Sequence, residues 1–266
     1  MSFKYKHVVL VGIDGAGNFI RQANTPNIDR LFAEGAGTDM CLTSIPTISA
    51  ECWGSMLIGV YPEVHKLTNG ILSSTEYGNV KHPTLFKLVR DARPDAILGS
   101  FCCWSPINSG IVERGIGVTL ETGADPVLCG KICDYIKSEK PDFLFVQFDS
   151  IDGAGHTYGY GTEKYLEALS GADEWVGAIR KAIEDAGIAE DTLYIVTADH
   201  GGHDHAHGGA TDGEKYVFFT VVGKTVVPGA KIDLEVKDIP AIVTRALDVA
   251  GSPNWQAKLP AGLFAD

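Results

Sequence analysis

Five short, almost wholly apolar runs recur along the chain, at His7–Ile13, Ala96–Cys102, Phe143–Phe148, Thr192–Thr197 and Val217–Val222, with helical periodicity between them. Runs of this length without polar alternation suit strands buried on both faces. Thr25-Pro26 opens a helix with a capping residue and a proline at its first position; Ile28, Leu31 and Phe32 give it an apolar face and Gly35 ends it. The segments 126–137 and 163–186 are also helical in spacing, the second through Leu166, Leu169, Trp175, Ile179 and Ile183, and 238–249 forms a late helix. Strands separated by helices build βαβ units. The expected fold is therefore α/β, a three-layer sandwich with a mainly parallel central sheet and helices on both faces. No repeat or linker interrupts the pattern, so residues 1–266 read as a single domain.

Charge narrows the function. Asp and Glu outnumber Lys and Arg by 34 to 22, a net charge of −12, and no basic cluster stands out, so extended nucleic acid is not an expected partner. No apolar run approaches the ~20 residues that span a bilayer. The first residues lead straight into a strand without a secretory core, which makes the cytoplasm the expected location and a membrane an unexpected partner. The six cysteines show no CxxC spacing and are expected as free, buried thiols.

Three of the expected strands end in aspartate, at Asp14, Asp149 and Asp199. In an open α/β sheet, ligands bind beyond the carboxyl ends of the strands, so these side chains converge on one crevice. Asp152-Gly-Ala-Gly-His156 adds a carboxylate and an imidazole in what reads as a glycine-rich turn; Asp199-His200-Gly-Gly adds two adjacent donors. His203, His205 and His207 crowd the loop that follows, and spacing alone does not say which of them coordinates. Carboxylates and imidazoles gathered this way repel or stay unpaired without a cation, and a metal is the natural partner. Between Asp14 and these motifs, Trp53, Met56 and Leu57 follow Ser49 at helical spacing. That puts Ser49 at a helix N-terminus, where an anion and a developing alkoxide are favoured.

Taken in order, Asp14, Thr25-Pro-Asn-Ile-Asp-Arg-Leu31, Pro46-Thr-Ile-Ser49 with Gly59-Val-Tyr-Pro-Glu-Val-His65, Asp152-Gly-Ala-Gly-His156, Asp199-His200-Gly201 and His207-Gly208 resemble the alkaline phosphatase superfamily, in its type I phosphodiesterase and nucleotide pyrophosphatase branch. The resemblance runs from about residue 7 to residue 223. It implies an alkaline phosphatase-like fold and two divalent metals, zinc with manganese as the alternative. Asp152, His156 and His207 would hold one metal; Asp14, Asp199, His200 and the nucleophile would hold the other. The family nucleophile falls on Ser49, with Thr47 as the fallback. The family's phosphate-binding asparagine falls by count on Gly70, beside Asn69, which becomes the candidate oxyanion donor. An Asn-His pair after the nucleophile is replaced by Cys52-Trp53, and a glycine after the His65 counterpart by Lys66.

The activity implied is hydrolysis of a phosphodiester or pyrophosphate bond in a small, nucleotide-type phosphate ester through a phosphoseryl intermediate. A phosphomonoesterase and a non-catalytic metal- or phosphate-binding domain are the alternatives. A sulfatase nucleophile needs x-Pro-x-Arg after it, which Ser49-Ala-Glu-Cys-Trp53 lacks. Trp53 is expected to accept the ester group, and Lys66 is the nearest basic candidate for extra phosphate charge. Trp53, Tyr77, Trp104 and Tyr158 are the aromatics available to stack a base, and a short cap insertion is expected around 70–87. The oligomeric state is open.

Overall fold

The computed structural model describes residues 5–74 and 82–265. Its strands are β1 (His7–Ile13), β2 (Ala36–Leu42), β3 (Leu98–Cys102), β4 (Val118–Thr122), β5 (Phe143–Phe148), β6 (Thr192–Thr197) and β7 (Tyr216–Val222). They join into one sheet in the order β2-β7-β6-β1-β5-β3-β4. β1 lies between β5 and β6 and parallel to both, with Val8 opposite Phe143 and Leu193. β5 and β6 are buried at every residue, and β1 at every residue but the first, because helices cover both faces.

On one face α8 (Glu163–Asp185) packs against α1 (Pro26–Glu34), α6 (Asp125–Glu139) and α7 (Ser150–Tyr158); on the other, α10 (Ile239–Leu247) packs against α2 (Ser49–Ile58) and α5 (Leu85–Ala92). Three short helices, α3 (Pro62–His65), α4 (Asn69–Ser73) and α9 (Asp212–Lys215), lie in the connections. Among the described residues no helix is long and apolar enough to cross a membrane.

The expected sheet is present, with corrections at its margins. β2 and β4 are strands that the apolar pattern does not reveal: they are the two edges, exposed along much of their length, and carry Gly, Thr, Asp and Glu among their apolar residues. β7 runs antiparallel to both neighbours. Thr25 sits at the N-cap of α1, but its hydroxyl donates to Ile20; the cap comes instead from Asp173 of α8, which accepts from the backbone N–H of Asn27 and Ile28 at 2.9 and 2.8 Å. All six cysteines are free, with Cys103 and Cys133 only half-buried. The stretch 70–87 lies partly outside the described residues, and Tyr77 wholly so.

The largest correction concerns Asp152 to His156, which form part of α7 rather than a turn. A helix puts residues i and i+4 on one face, so the two side chains meet there, 3.2 Å apart. Asp125, buried at the start of α6, accepts from the N–H groups of Asp149 and Ser150 and satisfies the N-terminus of α7. Gly155 is required by packing: a Cβ there would lie 2.4 Å from the Tyr160 ring.

Candidate active site

The carboxyl edge of the central strands brings the polar side chains together in two sets. The inner set is Asp14, Asp199 and His200; the outer set is Asp152, His156 and His207. Each gathers one ligand atom per residue within 4.8 Å of the others.

In the inner set, one oxygen of each carboxylate is committed to the protein. Asp14 Oδ2 accepts from the Trp53 indole and the Gln147 amide, both at 3.0 Å. Asp199 Oδ1 accepts from the backbone N–H of Gly15 and His200 at 3.1 and 2.8 Å. The other oxygens, Asp14 Oδ1 and Asp199 Oδ2, are buried and accept no hydrogen bond. They lie 3.4 and 3.3 Å from His200 Nε2, and Ser49 Oγ lies 3.3 Å from the same nitrogen. His200 Nδ1 is 2.9 Å from the Gly201 carbonyl and donates to it, which turns the Nε2 lone pair toward the oxygens. Burial, then the neighbouring carboxylates, pushes Asp14 and Asp199 well above the ordinary range, and burial holds His200 below its own.

The outer set repeats this logic. His156 Nδ1 donates to the His205 carbonyl at 2.8 Å and His207 Nδ1 to the Thr47 carbonyl at 2.7 Å, so both Nε2 lone pairs face Asp152, at 3.2 and 3.7 Å. Tyr160 donates to Asp152 Oδ1. Three imidazoles held through Nδ1 by backbone carbonyls, with Nε2 turned onto carboxylate oxygens that are bare in the inner set and shared with Tyr160 in the outer, form a donor arrangement that fits a divalent cation in each set.

Ser49 is the first residue of α2 and is buried at its N-terminus. Asn69 Oδ1 accepts from the Ala50 N–H at 3.0 Å, which fixes the amide orientation and leaves Nδ2 as a donor beside Ser49. Thr47, the fallback nucleophile, has its hydroxyl engaged with Gly208 and Gly209.

Two expected substrate contacts fall elsewhere. Trp53 is wholly buried and touches no crevice: its ring lies over Gly12, where a Cβ would meet it at 2.3 Å, and its N–H orients Asp14. A helical apolar face turns inward, so the expectation that Trp53 meets the ester group is overturned. Lys66 caps α3 in the left-handed region (φ 61°), exposed, and among the described residues it makes no ion pair. Trp104 is half-buried, its backbone N–H donating to Gln147 Oε1 at 2.8 Å, and Tyr158 is exposed under Lys164. The crowded histidines also sort themselves. His205 braces α7 by donating back to the His156 carbonyl at 3.1 Å, and His203 is exposed beside Asp204. Gln147, Tyr160 and Asp125 had no signal of their own in the sequence.

An open, mainly parallel sheet with two carboxylate–imidazole sets around a helix-borne hydroxyl defines the alkaline phosphatase superfamily. Within it, the chain belongs to the type I phosphodiesterase / nucleotide pyrophosphatase family, whose sequence pattern matches residues 8–84 and 118–217. Bovine ectonucleotide pyrophosphatase/phosphodiesterase family member 3 is 26% identical over 230 residues, 75% of this chain and 25% of that protein. Human family member 7 is 22% identical over 225 residues, 73% of this chain and 47% of that protein. The chain thus spans a quarter to a half of the length of these relatives. Among solved structures, murine ectonucleotide pyrophosphatase/phosphodiesterase 5 superposes with a TM-score of 0.76 at 12% identity, covering 95% of this chain and 97% of that one. An inactive variant of that protein was solved with AMP. A 2-O GAG sulfatase gives 0.78 at 12% identity over 96% of this chain and 73% of its own. The two structural likenesses speak for the fold.

Proposed function

We propose that the protein is a two-metal hydrolase that cleaves a phosphodiester or pyrophosphate bond of a small, nucleotide-type substrate through a phosphoseryl intermediate. The observation that carries this is the meeting of Asp14 Oδ1, Asp199 Oδ2, His200 Nε2 and Ser49 Oγ at one point, with Asp152, His156 and His207 alongside. Two divalent ions, zinc by the donor set with manganese as the alternative, would supply the positive field that favours the Ser49 alkoxide and neutralises phosphoryl oxygens.

The chain's own residues do the rest. The N-terminus of α2 presents Ser49 Oγ where the helix field favours negative charge. Asn69, whose Oδ1 is held by the Ala50 N–H, would donate through Nδ2 to a nonbridging oxygen. Ser49 Oγ gives up its proton to solvent and forms a bond to phosphorus as the bond to the leaving oxygen breaks, and that oxygen takes a proton from solvent in return. Water then attacks the phosphoserine, releasing a phosphate monoester and restoring the Ser49 hydroxyl. The AMP complex of the murine relative supports a nucleotide-type substrate.

A diester is favoured over a monoester because of the charges around the site. After burial, the charged groups that act on Asp14, Asp149, Asp199, His200 and His207 are carboxylates and imidazoles, with no Lys or Arg among them. Among the described residues, the extra charge of a monoester dianion would find no third cation acting on these groups. With the same aryl leaving group and the same metal, kcat/KM for the diester should exceed that for the monoester by at least ~10-fold, about 1.4 kcal/mol. Ser49→Ala should abolish both activities while metal stays bound. A monoester preference would overturn the diesterase assignment and make Lys66 the first residue to mutate.

A further inference from the structure

Thr47 belongs to neither ligand set, yet it is wholly buried two residues before Ser49 and spends its polar groups on one loop. Its carbonyl accepts from His207 Nδ1 at 2.7 Å; its hydroxyl accepts from Gly208 N–H at 2.9 Å and donates to the Gly209 carbonyl at 3.0 Å. The loop needs such help. Residues 203–206 and 209–210 are exposed, so apolar burial does little to hold the loop itself, although the His207 ring stacks on that of His200 with centroids 3.9 Å apart. His205 is tied to His156 of α7 and the Asp204 carbonyl to the Tyr160 N–H, and beyond His207 the loop is held by Glu214 of α9, which accepts from Gly209 N–H at 2.7 Å and from the Thr211 N–H and hydroxyl at 2.9 and 2.7 Å.

We propose that Thr47 is a positioning residue that fixes His207 as a ligand of the outer set and ties the occupancy of that set to the placement of Ser49. The inference rests on the reading of the outer set as a metal site. Because a single residue grips the His207 loop and lies on the segment that delivers the nucleophile, ordering the loop orders Ser49, and the coupling is reciprocal. The side chain achieves this with a hydroxyl that both accepts and donates. Valine has the same shape without either capacity, and serine keeps both.

The test is a zinc titration by calorimetry of chelator-treated protein, with the two sites assigned through His156→Ala (outer) and Asp199→Asn (inner). Thr47→Val should weaken the outer site by roughly 10- to 100-fold and leave the inner site unchanged, while Thr47→Ser binds like the wild type at both. Hydrogen exchange of the peptide spanning 43–58 should slow when zinc fills the outer site in the wild type and Thr47→Ser, but not in Thr47→Val. If Thr47→Val does not fold, Glu214→Gln, which loosens the same loop beyond His207, should show the same selective loss. Two-site binding that Thr47→Val and Glu214→Gln leave unaltered, or equal losses at both sites, overturns the role of Thr47 and leaves the metal reading intact. A wild-type protein that takes up fewer than two zinc ions overturns both.

Discussion

The side chains of Asp14, Asp199 and His200 are 1%, 0% and 0% exposed, whereas those of Asp152, His156 and His207 are 16%, 46% and 11% exposed. The inner three come from just beyond the ends of β1 and β6, two adjacent buried strands of the sheet, and the carboxylate oxygens turned away from the cluster are fixed by the indole of Trp53, the amide of Gln147 and backbone N–H groups. The outer three come from a helix and an exposed loop joined by hydrogen bonds to backbone carbonyls. Identical donor types thus yield one set with no room to rearrange and one that solvent can reach. This difference predicts a tightly held ion beside the nucleophile and an exchangeable one beside it.

The sharpest way to break the comparison is to remove one ligand from each set. Asp199→Asn should lose the inner metal and drop turnover by on the order of 10⁴-fold or more, since Ser49 loses its activation; His156→Ala should lose only the outer metal and retain more of the activity. Metal counts on both variants, with steady-state kinetics, check this, and equal effects would erase the distinction.

Next in size, Trp53→Phe removes the donor to Asp14 while keeping a ring over Gly12. Inner-site affinity should fall by about 10-fold or more, with the outer site untouched. Loss at the outer site instead would show that Asp14 is not oriented through Trp53.

The smallest effect is on stability without metal. Burial and mutual repulsion hold the Asp14 and Asp199 carboxyls above their ordinary value near 3.8. Between that value and the raised ones the folded protein binds more protons than the unfolded chain, so chelated protein is most stable below the window and loses stability as pH rises through it. Adding metal should cancel the trend. In chelated protein near neutral pH, Asp199→Asn should melt several degrees above the wild type because a buried charge is gone, while His156→Ala should change little. Melting curves that rise with pH in the chelated wild type would contradict the electrostatics of the inner set.

How legible each region was follows from how it is held. β1, β5 and β6 announce themselves because burial on both faces leaves unbroken apolar runs; β2, reading Ala-Gly-Thr-Asp-Met-Cys-Leu, and β4, reading Val-Thr-Leu-Glu-Thr, are edge strands whose exposure breaks any run. The residues of the two carboxylate–imidazole sets are legible because their motifs are local and follow a family order. The groups that aim them are not. Trp53 meets Asp14 across 39 positions, Gln147 meets it across 133, and Thr47 meets His207 across 160, so no short window of sequence contains any of the three pairs. Periodicity puts Trp53 on the apolar face of a helix but says nothing about where its indole N–H finds an acceptor, so its bond to Asp14 is visible only in the structure.

The strand order also sets a schedule for biosynthesis. β1, with Asp14 just beyond it, is made first but pairs only with β5 and β6, with Val8 registering against Phe143 and Leu193. At ~5–20 residues per second, a ribosome needs on the order of ten seconds to deliver the first of those partners. Throughout that interval an apolar strand has emerged with nothing to pair with, and the inner ligands are still on different stretches of unfinished chain. Metal uptake at the proposed inner site would therefore be a late event that reports completion of the central sheet, and β1 is the segment a chaperone would have to shield until then.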